Sequence, residues 1–322
     1  MTLCVIDDVV LLFLYLWSMF LPQHILSSKP PVSSFETEDF LAHFDRDLFE
    51  ISQQIIAIIE PYHQLKSHQH KHPVLDFLFE YYSFSANKLL TFNLGFGKEM
   101  PKEWTSSDYR YKLNSQNQWS LNPEDFPKKR LRMVQWTLAL LEAIDARPKA
   151  FGCYGLHEWA MVYRIDQVRH DQLNLRLPPD EIADFVDSQQ IKCSHFDAFR
   201  FFTPEAAPLN QLNPTYDQRP AMEQGGCIHV NMDLYKWTYK LHPWLGSELL
   251  WDAFLLAHET RYFDMKASPY DLSAYGLDPI RIETHEGRQE YARGQKAIAE
   301  RADIVRRNLI SALYELLDWV NS

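Results

Sequence analysis

The sequence predicts a mainly α-helical fold, a single helical domain with long irregular connections and no parallel sheet. Three observations predict it. Glycine supplies only 10 of 322 residues, well under its usual share of about 7%, and sheet-rich folds need glycine at their tight turns. Apolar residues recur at spacings of three and four over several long stretches, the period of a helix with one buried face. No βαβ alternation and no internal repeat is visible, which removes the parallel-sheet and solenoid architectures. With 46% of residues hydrophobic, the chain can bury a full core.

Taken in chain order, residues 1–34 read as an appendage, an apolar run (9–21) ending at Pro22 and then a Ser/Pro linker, and residues 35–322 as the helical catalytic domain. The run is too short to span a bilayer comfortably, since a spanning helix takes about 20 apolar residues. Asp7 and Asp8 stand where a secretory signal carries basic residues. Stable membrane insertion is therefore not expected. A first helix starts at Thr37, an N-cap with Glu38 and Asp39 in the first turn. Its stripe of Phe40, Phe44, Leu48, Ile51, Ile55 and Ile58 ends at Pro61. His63, His68, His70 and His72 follow in a solvated connection. VLDFLFEYY (74–82) reads as a short apolar helix, and residues 91–127 as irregular structure with room for a short hairpin. The Gly95-Phe96-Gly97-Lys98 string lacks the earlier glycine that a phosphate loop needs, because position 92 is Phe. A helix follows over 131–146. Ser247 is placed as the N-cap of another helix through Leu249, Ala253, Leu256 and Thr260. The last helix runs from Glu290 to about Val320, with Arg301, Asp303, Arg306 and Arg307 off its apolar stripe.

The net charge of −11 leaves no overall field that would draw the protein to nucleic acid or an anionic membrane. Contact with DNA must then be local, and Lys128, Lys129, Arg130 and Arg132 form the one dense basic cluster. Four cysteines without a CxxC pair fit reduced thiols in a cytoplasm. The oligomeric state leaves no mark on the sequence.

Between residues 151 and 271, polar residues with catalytic potential sit inside aromatic strings. FGCYGLHEWAMVYR carries His157 and Glu158, and CSHFDAFRFFTP carries His195, Asp197 and Arg200. CIHVNMDLYKW carries His229, Asn231, Asp233 and Lys236, and DMKASPYDL carries Asp264, Lys266 and Asp271. A carboxylate among Phe and Trp must be paired, hydrogen-bonded or metal-bound. Structural pairing would join Asp197 to Arg200, Asp233 to Lys236 and Glu158 to Arg164. Convergence in one pocket would instead make a site for a planar or sugar-linked substrate. A metal-dependent enzyme acting on a small molecule is the alternative, with His157, His195, His229 and Asp233 holding one divalent ion (Zn, Fe or Mn) in a two-His-one-carboxylate set. The repeated Cys-x-His spacing at Cys193/His195 and Cys227/His229 offers a structural zinc site. No Gly-x-Ser-x-Gly elbow is present, and a thiol nucleophile at Cys153 near His157 stays open.

HPVLDFLFEYY, FGCYGLHEWAMVYR, HFDAFRFFTP, residues 220–241 and ASPYDL together resemble a bacterial family of 3-methyladenine DNA glycosylases of similar length, over about residues 72–320. The resemblance implies hydrolysis of an N-glycosidic bond to an alkylated, cationic adenine in damaged DNA, with no metal or organic cofactor. Such an enzyme flips the base, stacks it between rings and stabilises the sugar cation with a carboxylate. On that reading Asp197 and Asp233 supply the carboxylate, aided by His157, Glu158, His195 and His229. Trp159, Trp237 and Tyr235, with Arg200, Lys236, Asp264 and Asp271, bind the substrate, and the 128–132 cluster meets phosphates.

Overall fold

The computed structural model describes residues 46–102, 108–165 and 172–322. The first-helix start at Thr37 and the boundary near residue 34 lie outside them. Helix makes up 57% of the structure and strand 4%, so the fold is mainly α, as the low glycine content predicts. No described helix is long and apolar enough to cross a membrane.

Helix α1 (Arg46–Ser67) runs through Pro61 instead of ending there. An interior proline removes one backbone hydrogen bond and destabilises a helix by about 3 kcal/mol. Burial on both sides of it offsets that loss: Ile55, Ile59 and Tyr62 are within 3% of full burial, and the Tyr62 ring meets Phe79 at 4.3 Å. The apolar string after it is a π-helical turn, Phe77–Tyr81, not an α-helix. The wider i→i+5 turn brings Phe77 and Tyr81 into register, and their rings stack at 4.7 Å and 7°.

Residues 91–127 are largely irregular and hold a small antiparallel sheet of β1 (Glu99–Met100), β2 (Lys112–Leu113) and β3 (Trp119–Ser120) in the order β1-β3-β2. Trp119 faces both Met100 and Leu113. Gly95 lies against the backbone of residues 244–246, where a Cβ would stand 2.9 Å from the Gly246 nitrogen. Close chain packing, not phosphate, accounts for that glycine.

Helices α2 (Leu131–Asp145), α3 (Leu156–Ala160), α4 (Pro179–Asp187), α5 (Phe196–Phe199) and α6 (Arg219–Met222) lead to the central pair α7 (Ile228–Leu241) and α8 (Ser247–Lys266). Gly246, not Ser247, caps α8. The Ser247 hydroxyl instead accepts from Asn93 N and donates to Thr91 O, both at 2.9 Å, tying α8 to the irregular segment. Helix α9 (His285–Asn321) begins earlier than its apolar stripe, because Thr284 caps it by accepting from Gly287 N at 3.0 Å. It packs against α7, α8 and α2. Arg306, expected off the stripe, is fully buried, where Asn231 and Asp303 accept from it at 2.9 and 2.7 Å.

Candidate functional site

The chain enters the site through a sharp turn in which Tyr154 and Gly155 both have positive φ, 49° and 79°. A Cβ at position 155 would lie 3.3 Å from Ala267 and Tyr291, so glycine is required there for space as well as conformation. The turn drives α3 into the core with all five of its residues buried. Its polar side chains therefore need partners. Asp264 on α8 meets His157 Nε2 at 3.0 Å, and Cys153 Sγ stands 3.5 Å from His157 Nδ1. Arg261 donates to Glu158 at 2.6 Å.

Helix α5 carries the second histidine at its N-cap. His195 Nδ1 accepts from Ala198 N at 3.2 Å, so the ring proton sits on Nε2, which faces Asp233 at 3.4 Å and Glu223 at 3.7 Å. Helix α7 carries His229, Asp233 and Lys236 at i, i+4 and i+7, one face of the helix. His229 bridges the two halves, with its ring 4.3 Å edge-on to His157 and 5.4 Å stacked on His195.

Charges are matched closely on the Asp233 side. Asp233 accepts from Arg219 at 2.8 Å, from Lys236 at 3.1 Å and from the Tyr82 hydroxyl at 3.1 Å. Arg219 also holds Glu223 at 2.7 Å, and Lys236 also holds Asp197 at 2.8 Å. Burial pushes the Asp233 carboxyl up, but Lys236, His195 and Arg219 together outweigh burial and hold it well below the usual carboxylate range. The same contest, with Lys236 as the chief partner, lowers Asp197. On the other side, burial disfavours the His157 cation, yet Asp264 and then Cys153 raise it well above an ordinary histidine. Burial and the neighbouring His157 push His229 well down, so its ring is neutral.

A cavity of about 370 Å³ opens beside this network. Phe77, Tyr81, Phe201 and Tyr270 form aromatic wall, and Glu158, Asp197, His229 and Arg261 supply its polar groups. The four strings thus meet in space as one network. Only part of the expected set reaches the cavity: His157, His195 and Asp233 lie behind its wall, where His229 and Asp197 front them.

Several expectations are corrected. Trp159 is fully buried, donating to Ala267 O at 2.8 Å and packing on Phe185, and Trp237 packs edge-on against Trp136 at 5.6 Å. Both are core rings with no face toward the cavity. Tyr235 is also core, between Phe84 and Phe254. Arg200 borders the site through Asp197 at 3.4 Å and the Phe201 ring at 4.5 Å, whereas Asp271 is an exposed turn residue accepting from Ser273 N. Lys128, Lys129 and Arg132 are exposed at the start of α2, and Arg130 donates to Lys240 O at 2.7 Å; none lines the cavity. The Asp197–Arg200 and Asp233–Lys236 pairs form, but Glu158 pairs with Arg261, and Arg164 pairs with Asp187 at 2.8 Å. Among the described residues, the groups able to hold a metal contain histidine and aspartate only. The two Cys-x-His strings therefore make no zinc site, and the two-His-one-carboxylate set of His157, His195, His229 and Asp233 resolves into two separate groups.

Sequence reasoning missed Arg219, Glu223, Arg261, Tyr82 and Tyr291. Arg261 carried a signal, since it stands one turn before Asp264 in the same apolar helix. Arg219 and Glu223 lie in a polar stretch with none. The chain matches no protein-family model, no curated protein and no solved structure.

Proposed function

We propose that the chain is a hydrolase of an N-glycosidic bond to a purine-sized base. The observation that carries this reading is an aromatic-walled cavity of about 370 Å³ with the lowered, ionised carboxylate of Asp197 on its lining. That volume is near the low end of small-molecule pockets, about 300–1,000 Å³, enough for a base with part of its sugar. Tyr81, Phe201 and Tyr270 offer faces for stacking, and Glu158 with Arg261 offers an acceptor and donors for the base edge.

In the reaction the bond between the sugar carbon and the base nitrogen breaks, with the electron pair leaving on the base. The oxygen of water bonds to the sugar carbon, and its spare proton passes to solvent. An alkylated, cationic adenine leaves neutral and needs no proton from the protein. Asp197 faces the positive charge that develops on the sugar. Asp233, tied to Arg219, Lys236 and Tyr82 behind the wall, positions Lys236 and through it Asp197.

Damaged DNA is the proposed macromolecular substrate, from the sequence resemblance, with Lys128, Lys129 and Arg132 available for phosphates. The free thiols of Cys153, Cys193 and Cys227 fit a reducing cytoplasm. The test is chromatographic detection of 3-methyladenine released from methylated DNA by the full chain. Release by the wild type and its loss in Asp197→Asn, with the circular dichroism spectrum unchanged, supports the reading. No release, or equal release by the variant, refutes it.

A further inference from the structure

His157 and His229 each offer a ring nitrogen, and Asp264 a carboxylate oxygen, with these atoms all within 4.8 Å of one another. All three residues are more than nine-tenths buried. We propose that His157, His229 and Asp264 bind one divalent first-row transition-metal ion, with the open coordination position facing the cavity beside His229. This inference does not depend on the glycosidic reading.

Two nitrogens and one carboxylate oxygen form a donor set suited to Zn, Fe or Mn. Tetrahedral ligands about 2.0–2.2 Å from a metal stand roughly 3.4 Å apart, so the His157–Asp264 pair, at 3.0 Å, parts slightly while the widest pair must close by at most about 1.4 Å. His229 has the freedom to do so, because its ring nitrogens make no hydrogen bond among the described residues while its side chain lines the cavity. The other two ligands are already aimed. Cys153 Sγ meets His157 Nδ1 at 3.5 Å and the Tyr291 hydroxyl donates to Asp264 Oδ1 at 3.1 Å, so His157 Nε2 and Asp264 Oδ2, now 3.0 Å apart in one hydrogen bond, face each other across the point where the ion would replace the shared proton. Such outer partners set the tautomer and orientation of metal ligands.

Charge selects this trio over its neighbour. His195, Asp197 and Asp233 also stand within reach of a common point, but the Lys236 ammonium already joins both carboxylates and Arg219 covers Asp233. A metal there would have to expel two fixed cations. Around Asp264, among the described residues, the Arg261 Nη1 lies 2.6 Å from Glu158 and 3.6 Å from Asp264, and His157 Nε2 lies 3.0 Å from Asp264. A metal ion there displaces a ring proton instead of a lysine or arginine, since metal binding to histidine releases protons.

The experiment titrates the chelator-stripped full chain with cobalt(II) and zinc(II), following calorimetric stoichiometry and the visible cobalt spectrum. The expected result is one ion per chain with an intense cobalt absorption typical of a low-coordinate site. His229→Gln, which removes no hydrogen bond and so preserves folding, should weaken binding at least 100-fold. Cys153→Ala should keep the stoichiometry and weaken affinity 10- to 100-fold, the range for loss of an outer partner. A His68→Gln, His70→Gln double variant tests surface capture and should bind as the wild type does. Absence of a stoichiometric ion overturns the proposal. So does wild-type affinity in His229→Gln, or loss of binding in the surface double variant.

Discussion

Replacing Asp233 by alanine should reduce stability strongly while leaving the cavity lining in place. Asp233 is 2% exposed and accepts from Arg219, Lys236 and Tyr82 at 2.8, 3.1 and 3.1 Å. Removing one partner of a buried ion pair destabilises by about 3–5 kcal/mol, because an uncompensated charge remains. Here the low end applies. Arg219 keeps Glu223 at 2.7 Å and Lys236 keeps Asp197 at 2.8 Å, so neither cation is left alone and the expected loss is about 3 kcal/mol. Urea unfolding at pH 7 should show a lower midpoint at unchanged slope. The effect has a pH signature. Asp233 is held below its ordinary range, so its contribution is present above the unfolded carboxylate pKa of about 3.9 and is lost progressively as pH falls below that value through the lower folded one. The difference between wild type and variant should therefore shrink below about pH 4. A loss under 1 kcal/mol, or one that does not change with acid, would refute this account of the lattice.

Gly287→Ala should destabilise by about 3 kcal/mol, the upper range for overpacking, because its Cβ would stand 1.9 Å from the Arg281 carbonyl oxygen. Gly276→Ala, with φ of 70° and open space around it, should lose only about 1–2 kcal/mol from backbone strain. Thermal melts of the pair check the contrast, and equal losses would contradict it. Burial pushes His242 down to about 3 and His258 down to about 4, so both are neutral in the folded chain. Their stabilisation is present above the unfolded pKa of about 6.5 and is lost as pH falls through the folded values. The melting temperature should drop between pH 6.5 and 4, and His258→Gln should flatten that drop. Lys129→Glu with Arg132→Glu should weaken binding to methylated DNA and lower its salt slope by about two; an unchanged slope would remove this cluster from the interface.

The long helices α2, α8 and α9 were legible because period alone marks them, with apolar residues at three- and four-residue spacing. Pro61 and the 77–81 segment were not, because tertiary burial overrode a local rule in one case and ring stacking favoured a wider turn in the other. The convergence of the four strings followed from a physical constraint, since a polar residue in an apolar string must find a partner. The partner itself is a tertiary fact. Glu158 meets Arg261, 103 residues away in sequence, rather than the nearer Arg164. Trp159 and Trp237 were misread as stacking faces because sequence cannot show which side of a ring is already covered. Phe201 and Tyr270, from the same strings, line the cavity instead.

The network divides into two electrostatic halves that differ in what they offer a bound ion. Around Asp233, two fixed cations and a helix-capping histidine with a locked tautomer surround the buried carboxylates, and only Asp197 of this half reaches the cavity. Around Asp264 one guanidinium and the His157 ring, 3.0 Å away, serve the two carboxylates, and a metal ion can displace the ring proton. His229 stands between the halves, neutral and without a hydrogen bond among the described residues, and it fronts the cavity. A buried imidazole in that condition loses the solvation of its nitrogens with no compensation from the protein. A bound ion or substrate atom would supply it. Its substitution should therefore leave stability nearly unchanged while abolishing ligand or metal binding, the reverse of the pattern expected at Asp233.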